Sequence, residues 1–567
     1  MPVLVVPGVS VETTFDVLPP LPAGAGIVGI VGIVDRPPAP TAPLTGVVRV
    51  SELQELYGPG TSASMPEAVA ALSTGAREVV VSAVDGGNAA TATLMNSEEP
   101  PAPAVRLRAR SRGAWANQLK ADVKAVTNAA GKVVRVSLRI LQGDKEVESF
   151  DDLVVEPGQP LDLFTTVNSL STFVVAVEPN FDGEDPKPGD YPLGAQGSVA
   201  VEQEGAAGTV LMDIQLKPGV TDQGVTVRIA GAGDAITVEV LRNGARQEFF
   251  ENLTMDPDSK SHLPTILAAS SQFVHAVPRS SLAAAARLPR ATPSPVAFAG
   301  GTSPNVAAYR AAIDRLADDS RIDLVMASFD PALSSANVIQ IHQALLAHAL
   351  TASDAAAPRI AFGSIRAADA DNLDAIRDHA AAVRNRRFVL VAPPGATGAV
   401  VGLIARMNPE ISPTFQSTQL LGIPPSSYRE SQLNVLLGST VNLLVVQQRA
   451  GHGVIVLKGI NTIGDQISVT RVADRCIRET KAISENFIGQ LNSADARDAL
   501  AQQLIAAFTR LERSGALVPS PDGADPAFIV SVYSTGQDFS QGIVRVDIAV
   551  RPVRAIDYVY ATIRVKN

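Results

Sequence analysis

The sequence predicts a multidomain α/β protein: a core built from N- and C-terminal segments, two small β-rich repeat domains inserted between them, and extended strand arms at both ends. Three observations predict it. Strand and helix patterns alternate over residues 296–460, residues 141–177 recur at 241–277, and strand-patterned stretches lie beyond proline breaks near both termini. At 567 residues the chain exceeds what a single hydrophobic core holds.

The arms are read from period-two alternation. From Val544 to Arg551, Val544, Val546, Ile548 and Val550 share one face, and Arg545, Asp547, Ala549 and Arg551 the other. This is a half-buried strand. Pro552 lacks a donor and ends it, yet alternation resumes in an arm from Ile556, with Val559, Ala561, Ile563 and Val565 facing one way and Tyr558, Tyr560, Thr562 and Arg564 the other, so the sequence stops inside a strand pattern. At the other end Val3, Val5, Val9 and Val11 lie in strand-like runs around the Pro7-Gly8 turn, ahead of the stiff Pro19-Pro20-Leu21-Pro22. Unpaired extended arms are templates for strand exchange between subunits. The alternative is a closing strand of the same domain.

Composition narrows the function classes. A net charge of −10 offers no basic field for a phosphate backbone, which argues against nucleic acid as a main partner. The single cysteine, Cys476, falls between Val472 and Ile483 on an apolar helix face, where a buried structural thiol is expected. One cysteine also allows no internal disulfide and no thiolate metal cage. Neither a leader-like start nor a run of 18 apolar residues is present, so the expectation is a soluble protein folded in a reducing cytoplasm, without membrane insertion.

In chain order, an arm over 1–22 precedes the N-terminal part of the core, 23–103. Gly24, Gly26 and Gly29 match a dinucleotide fingerprint, but a proline cluster precedes them and the β-branched run Ile27 to Val34 follows. That context is a strand, not the helix start a pyrophosphate needs. A helix over Ser51–Gly58, a second over Met65–Thr74 closed by Gly75, and a strand over Glu78–Val84 follow.

Past the proline-rich stretch Glu98–Pro103 the texture becomes short strands and turns. Setting 141–177 against 241–277 without a gap gives 12 identities in 37 positions, among them Glu148/Glu248, Phe150/Phe250, Leu163/Leu263 and Ser171/Ser271. Each copy reads strand, turn (Gly143-Asp144 or Asn243-Gly244), strand, short helix, strand. The expectation is two β-rich domains, 104–178 and 209–278, with linkers at 179–208 and 279–295 and an outward-facing role.

The α/β core follows at 296–460. Ser303-Pro304 reads as a helix start; strands over 322–327, 359–362 and 388–391 alternate with helices over 336–350 and 373–384. An enzyme would place its site at these strand ends. Asp330, Ser364 and the Pro393-Pro394-Gly395-Ala396-Thr397-Gly398 turn are the residues in that position. The turn lacks the Lys-Ser/Thr of a phosphate loop. His342 and His348 are six apart and share no i, i+4 face, and Asp369, Asp371 and Asp374 lack the glycine and glutamate of a calcium loop. Each reads more simply as a cap, turn or solvated face. A multidomain α/β enzyme with carbohydrate-binding-like β modules is the alternative class, and no catalytic, cofactor or metal constellation supports it.

A C-terminal domain spans 461–552 and a donor strand arm 553–567. A helix is expected over Val472–Leu491, then Ser493 as N-cap and a second helix with Leu500, Leu504, Phe508 and Leu511 on one face, ending at Gly515-Ala516-Leu517.

Several of these stretches resemble contractile tail sheath proteins of phages and related injection systems. They are PGVSVE (Pro7–Glu12), GIVGIVDRPP (Gly29–Pro38), the helix ending Tyr57-Gly58, AVAALSTGAREVVVSAV (Ala68–Val84), RGAWANQL (Arg112–Leu119) and Phe298-Ala299-Gly300-Gly301. VIVLKGINT (Val454–Thr462), ISVTRVADRCI (Ile467–Ile477) and the Gly515-Ala516-Leu517 turn are similar to further family elements. The chain departs from the pattern at Ser10, where an aromatic is usual, at Gly75-Ala76, in place of paired glycines, and around Arg551–Val559, where the family's acidic residue is shifted. The likeness covers the first 100 residues and 295–567, not the repeats.

The resemblance implies a sheath-type core and a structural, non-enzymatic subunit. Copies would stack as rings, commonly hexameric, around an inner tail tube protein, bounded by baseplate and tail terminator proteins. The place would be a virion tail assembled in a bacterial host's cytoplasm, or a bacterial contractile injection or secretion system. No cofactor is implied. For tube contact, the charged faces of the last two helices offer Arg475, Arg478, Lys481, Arg497, Asp498 and Arg510; a merely solvated face is the equal alternative.

Overall fold

A computed structural model describes residues 26–557, apart from 39–41, 130–132, 156–158, 160, 178–183, 195–196, 218, 221–223, 256–258, 260, 279–287 and 421–427. The arm residues Val3, Val5, Val9, Val11, Tyr558, Val559, Tyr560, Ile563 and Val565 lie outside the described residues.

The core is an eight-stranded sheet ordered Gly46–Val47, Glu78–Ala83, Ile27–Gly32, Leu324–Ala327, Ile360–Ser364, Phe388–Ala392, Leu444–Arg449, Gly453–Val456. The six inner strands run parallel and the outermost pair on each side is antiparallel. Ile27–Gly32 hydrogen-bonds to Leu324–Ala327 across nearly 300 residues of sequence, so N- and C-terminal segments do share one sheet.

Its strands are continuous apolar runs because helices cover both faces. Val28, Val79, Leu324, Phe362 and Val391 point to one side, against Leu53, Tyr57, Ala68 and Val400. Ile27, Val80, Val325, Ala361 and Leu390 point to the other, against Tyr309, Ile313, Ile341, Leu345 and Ile376. Gly29 has a structural role: a Cβ there would lie 3.1 Å from the Ile322 side chain. Ser303-Pro304 does not open the following helix. Asn305 is its N-cap, accepting from the Ala308 amide, and the helix is Val306–Arg315.

The two copies of the repeat share one register. In the first, Val136 pairs Leu153, Leu138 pairs Phe150, Ile140 pairs Glu148 and Gln142 pairs Lys145. In the second, Ile236 pairs Leu253, Val238 pairs Phe250, Val240 pairs Glu248 and Arg242 pairs Ala245. Bulges fall at equivalent places, and Asp152 (φ 56°) and Asn252 (φ 54°) both adopt the left-handed conformation. Glu148 accepts from the Ser171 hydroxyl at 2.5 Å, and Glu248 from Ser271 at 2.5 Å.

The expected boundaries need correction. The stretch 179–208 is no simple linker: Gly189–Pro192 pairs with Val225–Ala230 and Ser198–Gln203 with Ala206–Leu216, all within the second copy's sheets. Likewise Thr91–Met95 pairs with Pro103–Ala109, which pairs with Val174–Val177, so the first copy begins before residue 104. Part of the second expected linker also returns to it. Leu288 is buried in its core, and Val296–Ala297 adds a strand beside Leu119–Thr127.

Candidate assembly surface

One helix joins the α/β core to the C-terminal unit. It runs Ile467–Glu485, starting five residues before the expected Val472 and stopping before Leu491. Ile467 packs in the sheet's core, whereas Val472, Cys476 and Ile483 pack against the next helix, Ala494–Arg513. Burial pushes the Cys476 thiol up to about 12, so it is an inert core group. Ser493 caps the second helix through the Ala496 amide, and Leu500, Leu504, Phe508 and Leu511 form its buried face.

The polar side of the first helix is fastened to the strand starts. Asp474 binds the Arg387 guanidinium through both oxygens, at 2.9 and 3.1 Å. Arg471 donates to the Met407 and Asn408 carbonyls, and desolvation lowers its pKa to about 10. Arg478 donates to the Ile322 and Pro358 carbonyls and lies 3.2 Å from Asp323. Burial, opposed by Arg478, raises Asp323 to about 6.

These contacts sort the residues proposed for tube contact. Arg478 is an internal clamp with little exposed side chain and is removed from that set. Arg475 pairs with Glu479 along the same helix, and Arg497 donates to Asn492. Asp498 and Arg510 are exposed and Lys481 is half-buried.

On this helical pair sits a two-stranded antiparallel ribbon, Phe528–Tyr533 with Arg545–Val550. The expected alternation holds: Phe528, Val530, Val532, Val546, Ile548 and Val550 face the helices, and the Phe528 ring lies 5.7 Å from that of Phe508. Ile529, 56% exposed, and Tyr533 lie on the outer face. Thr535 caps the short Gly536–Ser540 helix between the strands. Asp538 takes a two-armed ion pair from Arg545, which holds its carboxyl well below the usual range. Among the described residues no further strand pairs with either outer edge. Close by, Ile488 (82% exposed), Leu491 (86%) and Phe539 (60%) are large apolar side chains in the open, and Asn492 donates to Ser534 across the gap. The expected Val472–Leu491 helix took in Ile488 and Leu491, whereas the helix ends at Glu485 and leaves both beyond it.

The residues an enzyme would use are absorbed elsewhere. Asp330 is buried and accepts from the Ala114 amide at 2.7 Å and the Ala332 amide at 3.0 Å, tying the first β-rich copy to the core. Ser364 accepts from the Gly395 amide. His342 lies 2.8 Å from His379 with the two imidazoles stacked, and the Phe329 ring meets His342 edge-on while that of Phe388 is tilted against it. His348 contacts Arg359. Asp369 accepts from Ser335 and Arg366, and Asp374 pairs with Arg377. Among the described residues no three His, Cys, Asp or Glu side chains are grouped to hold a metal ion, and no helix is long and apolar enough to cross a membrane.

Solved sheath proteins are among the structures this chain is similar to, at low identity and low TM-score. A crystal structure of a sheath tail protein from Desulfitobacterium hafniense shares 12% identity at a TM-score of 0.44, over 96% of this chain and 100% of that one. One from Listeria innocua shares 12% at 0.43, over 94% and 93%. The contracted helical sheath of the anti-feeding prophage shares 15% at 0.36, over 48% of this chain and 78% of that one. No family model and no curated protein matches the sequence.

Proposed function

We propose that the chain is the structural subunit of a contractile tail sheath. Copies stack as rings around an inner tail tube and shorten together to drive that tube through a target envelope, with baseplate and terminator proteins at the ends. The same reading covers the sheath of a bacterial contractile injection or secretion system. The observation that carries it is the ribbon of Phe528–Tyr533 and Arg545–Val550, a two-stranded sheet whose outer edges meet no strand among the described residues. Two strands alone are marginal in water, and open edges accept further strands. The sequence holds two strand-patterned arms to fill such edges, around Val3–Val11 and Ile556–Val565.

An arm from another copy, laid along an edge, adds a row of main-chain hydrogen bonds, each contributing about 0.5–1.5 kcal/mol net. Cores linked in this way stay tethered while they slide past one another. The exposed apolar side chains of Ile488, Leu491 and Phe539 join exposed Asp498 and Arg510 of the charged helix faces as candidates for contact with tube or neighbour.

Negative-stain electron microscopy of the full-length protein beside a truncation ending at Pro552 tests the reading. Regular tubes from the full chain that vanish in the truncation support it. Compact monodisperse particles from both overturn it.

A further inference from the structure

The segment between the ribbon and Asp557 is held at two places by two different kinds of bond. On the C-terminal unit the contacts are main chain to main chain. The Arg551 amide donates to the Ala527 carbonyl, the Val518 amide to the Arg551 carbonyl, and the Val553 amide to the Ala516 carbonyl, at 2.9–3.0 Å. Pro552 forms a bridge with Leu517 within this set.

On the α/β core the contacts are made by side chains alone. Gln466, 6% exposed, at the N-cap of the helix shared by both units, turns its amide to Ala555 as a strand neighbour would. Its Oε1 accepts from the Ala555 amide at 2.9 Å and its Nε2 donates to the Ala555 carbonyl at 2.9 Å. The same Nε2 donates to Asp557 at 2.8 Å, and the Thr414 hydroxyl donates to the other carboxylate oxygen at 3.3 Å. Arg554 pairs with Asp465 at 2.9 Å, its own side chain mostly in solvent. Between these contacts Ile556 is 81% exposed, so no apolar burial holds the segment down.

We propose that residues 554–557 form a releasable strap, latched to the core by Gln466, whose opening lengthens the tether to the C-terminal arm without disturbing the ribbon. One buried glutamine carries both backbone bonds, and the flanking ion pair is solvated on its Arg554 side, where it is screened. The core-side anchor therefore opens locally while the bridge at Leu517 stays closed. Four residues at about 3.3–3.6 Å each add roughly 13–14 Å of reach. The purpose assigned to this reach, keeping an exchanged strand seated while cores move, rests on the sheath reading. The latch itself does not.

Amide hydrogen exchange on the full-length, unassembled chain tests it. The Ala555 amide is expected to be protected, yet to exchange at least tenfold faster than that of Val553. Gln466→Ala should remove the Ala555 protection and leave Val553 unchanged. Because Gln466 also occupies the N-cap position of a helix, a second variant carrying Arg554→Ala and Asp557→Ala keeps that glutamine in place and should speed Ala555 exchange alone. An unprotected Ala555 amide in the natural chain, or Ala555 and Val553 exchanging together in all three proteins, overturns the proposal. The absence of tubes under the microscope would remove the sheath reading and leave this result standing.

Discussion

Lowering the pH from 7 to 5 should loosen the α/β core through its buried histidines. His379 is 5% exposed, stacked on the fully buried His342, and desolvation depresses its pKa from 6.5 to about 4. Asp369 opposes the shift, but it is already engaged by Arg366 and Ser335. His342 is held well below 6.5 by the same burial and by its neighbour. A folded pKa below the unfolded one means that the unfolded chain binds more protons. The stability is then present above pH 6.5 and is lost as pH falls toward 4. For His379 alone, pKa values of 6.5 and about 4 give a slope of about 1.2 kcal/mol per pH unit near pH 5.5, and a loss of about 2 kcal/mol between pH 7 and 5. The assay is native-state hydrogen exchange of amides in Phe388–Ala392, the strand beside the pair, at pH 7.0, 6.0 and 5.5 after correction for intrinsic rates. His379→Gln, which does not titrate, should cut the pH slope of the opening free energy by about one proton. An unchanged slope in that variant would refute the claim that His379 is held neutral.

Asp330→Ala should leave the Ala114 amide without its buried acceptor and lower stability by about 1–3 kcal/mol, read as a lower urea midpoint in the fluorescence of Trp115, the only tryptophan. Gly402→Ala should lower the melting temperature, since the added Cβ would sit 2.1 Å from the Thr74 hydroxyl and 2.4 Å from the Ala71 carbonyl oxygen. Overpacking of about 1–3 kcal/mol outweighs the roughly 1 kcal/mol by which alanine favours a helix. Gly536→Ala, in a helix where nothing lies within 4 Å, is the control and should not lower the melting temperature. Phe508→Ala should cost about 3–5 kcal/mol by emptying the space under the ribbon, seen as faster exchange of the Phe528–Tyr533 amides.

The sheet of the core was legible because its strands are uninterrupted apolar runs between helical stripes, a pattern set by burial on both faces. The ribbon was legible for the complementary reason: one face is wet, so polar and apolar residues alternate. What pattern could not supply was the partner of each polar group. Arg478 and Asp498 are equally charged and lie on neighbouring helices, yet one is clamped between the Ile322 and Pro358 carbonyls and the other is exposed. Only the meeting of the Ile467–Glu485 helix with strand starts more than 100 residues away in sequence separates them. The Gln466 latch is hidden in the same way, as a single amide facing a backbone 89 residues on.

The misplaced repeat boundaries have a physical cause that also extends the duplication. In the first copy the Arg110 amide donates to the Phe173 carbonyl and its guanidinium caps the Asn168 and Ser171 carbonyls at a helix end. In the second, the Lys217 amide donates to the Phe273 carbonyl and its ammonium caps Ala268 and Ser271. The helix ends are offset by 100 residues, but the capping cations by 107. The connection after the cation is thus seven residues shorter in the second copy, and a gapless comparison loses the match upstream of it. Thr91–Met95 and Ser198–Gln203 sit on the far side of that break, each pairing with the strand that leads to its cation. An arginine and a lysine at unequal spacing carry no repeat signal in sequence. They carry the same charge to the same negative helix end, and that shared electrostatic role makes the two strands part of the duplicated unit.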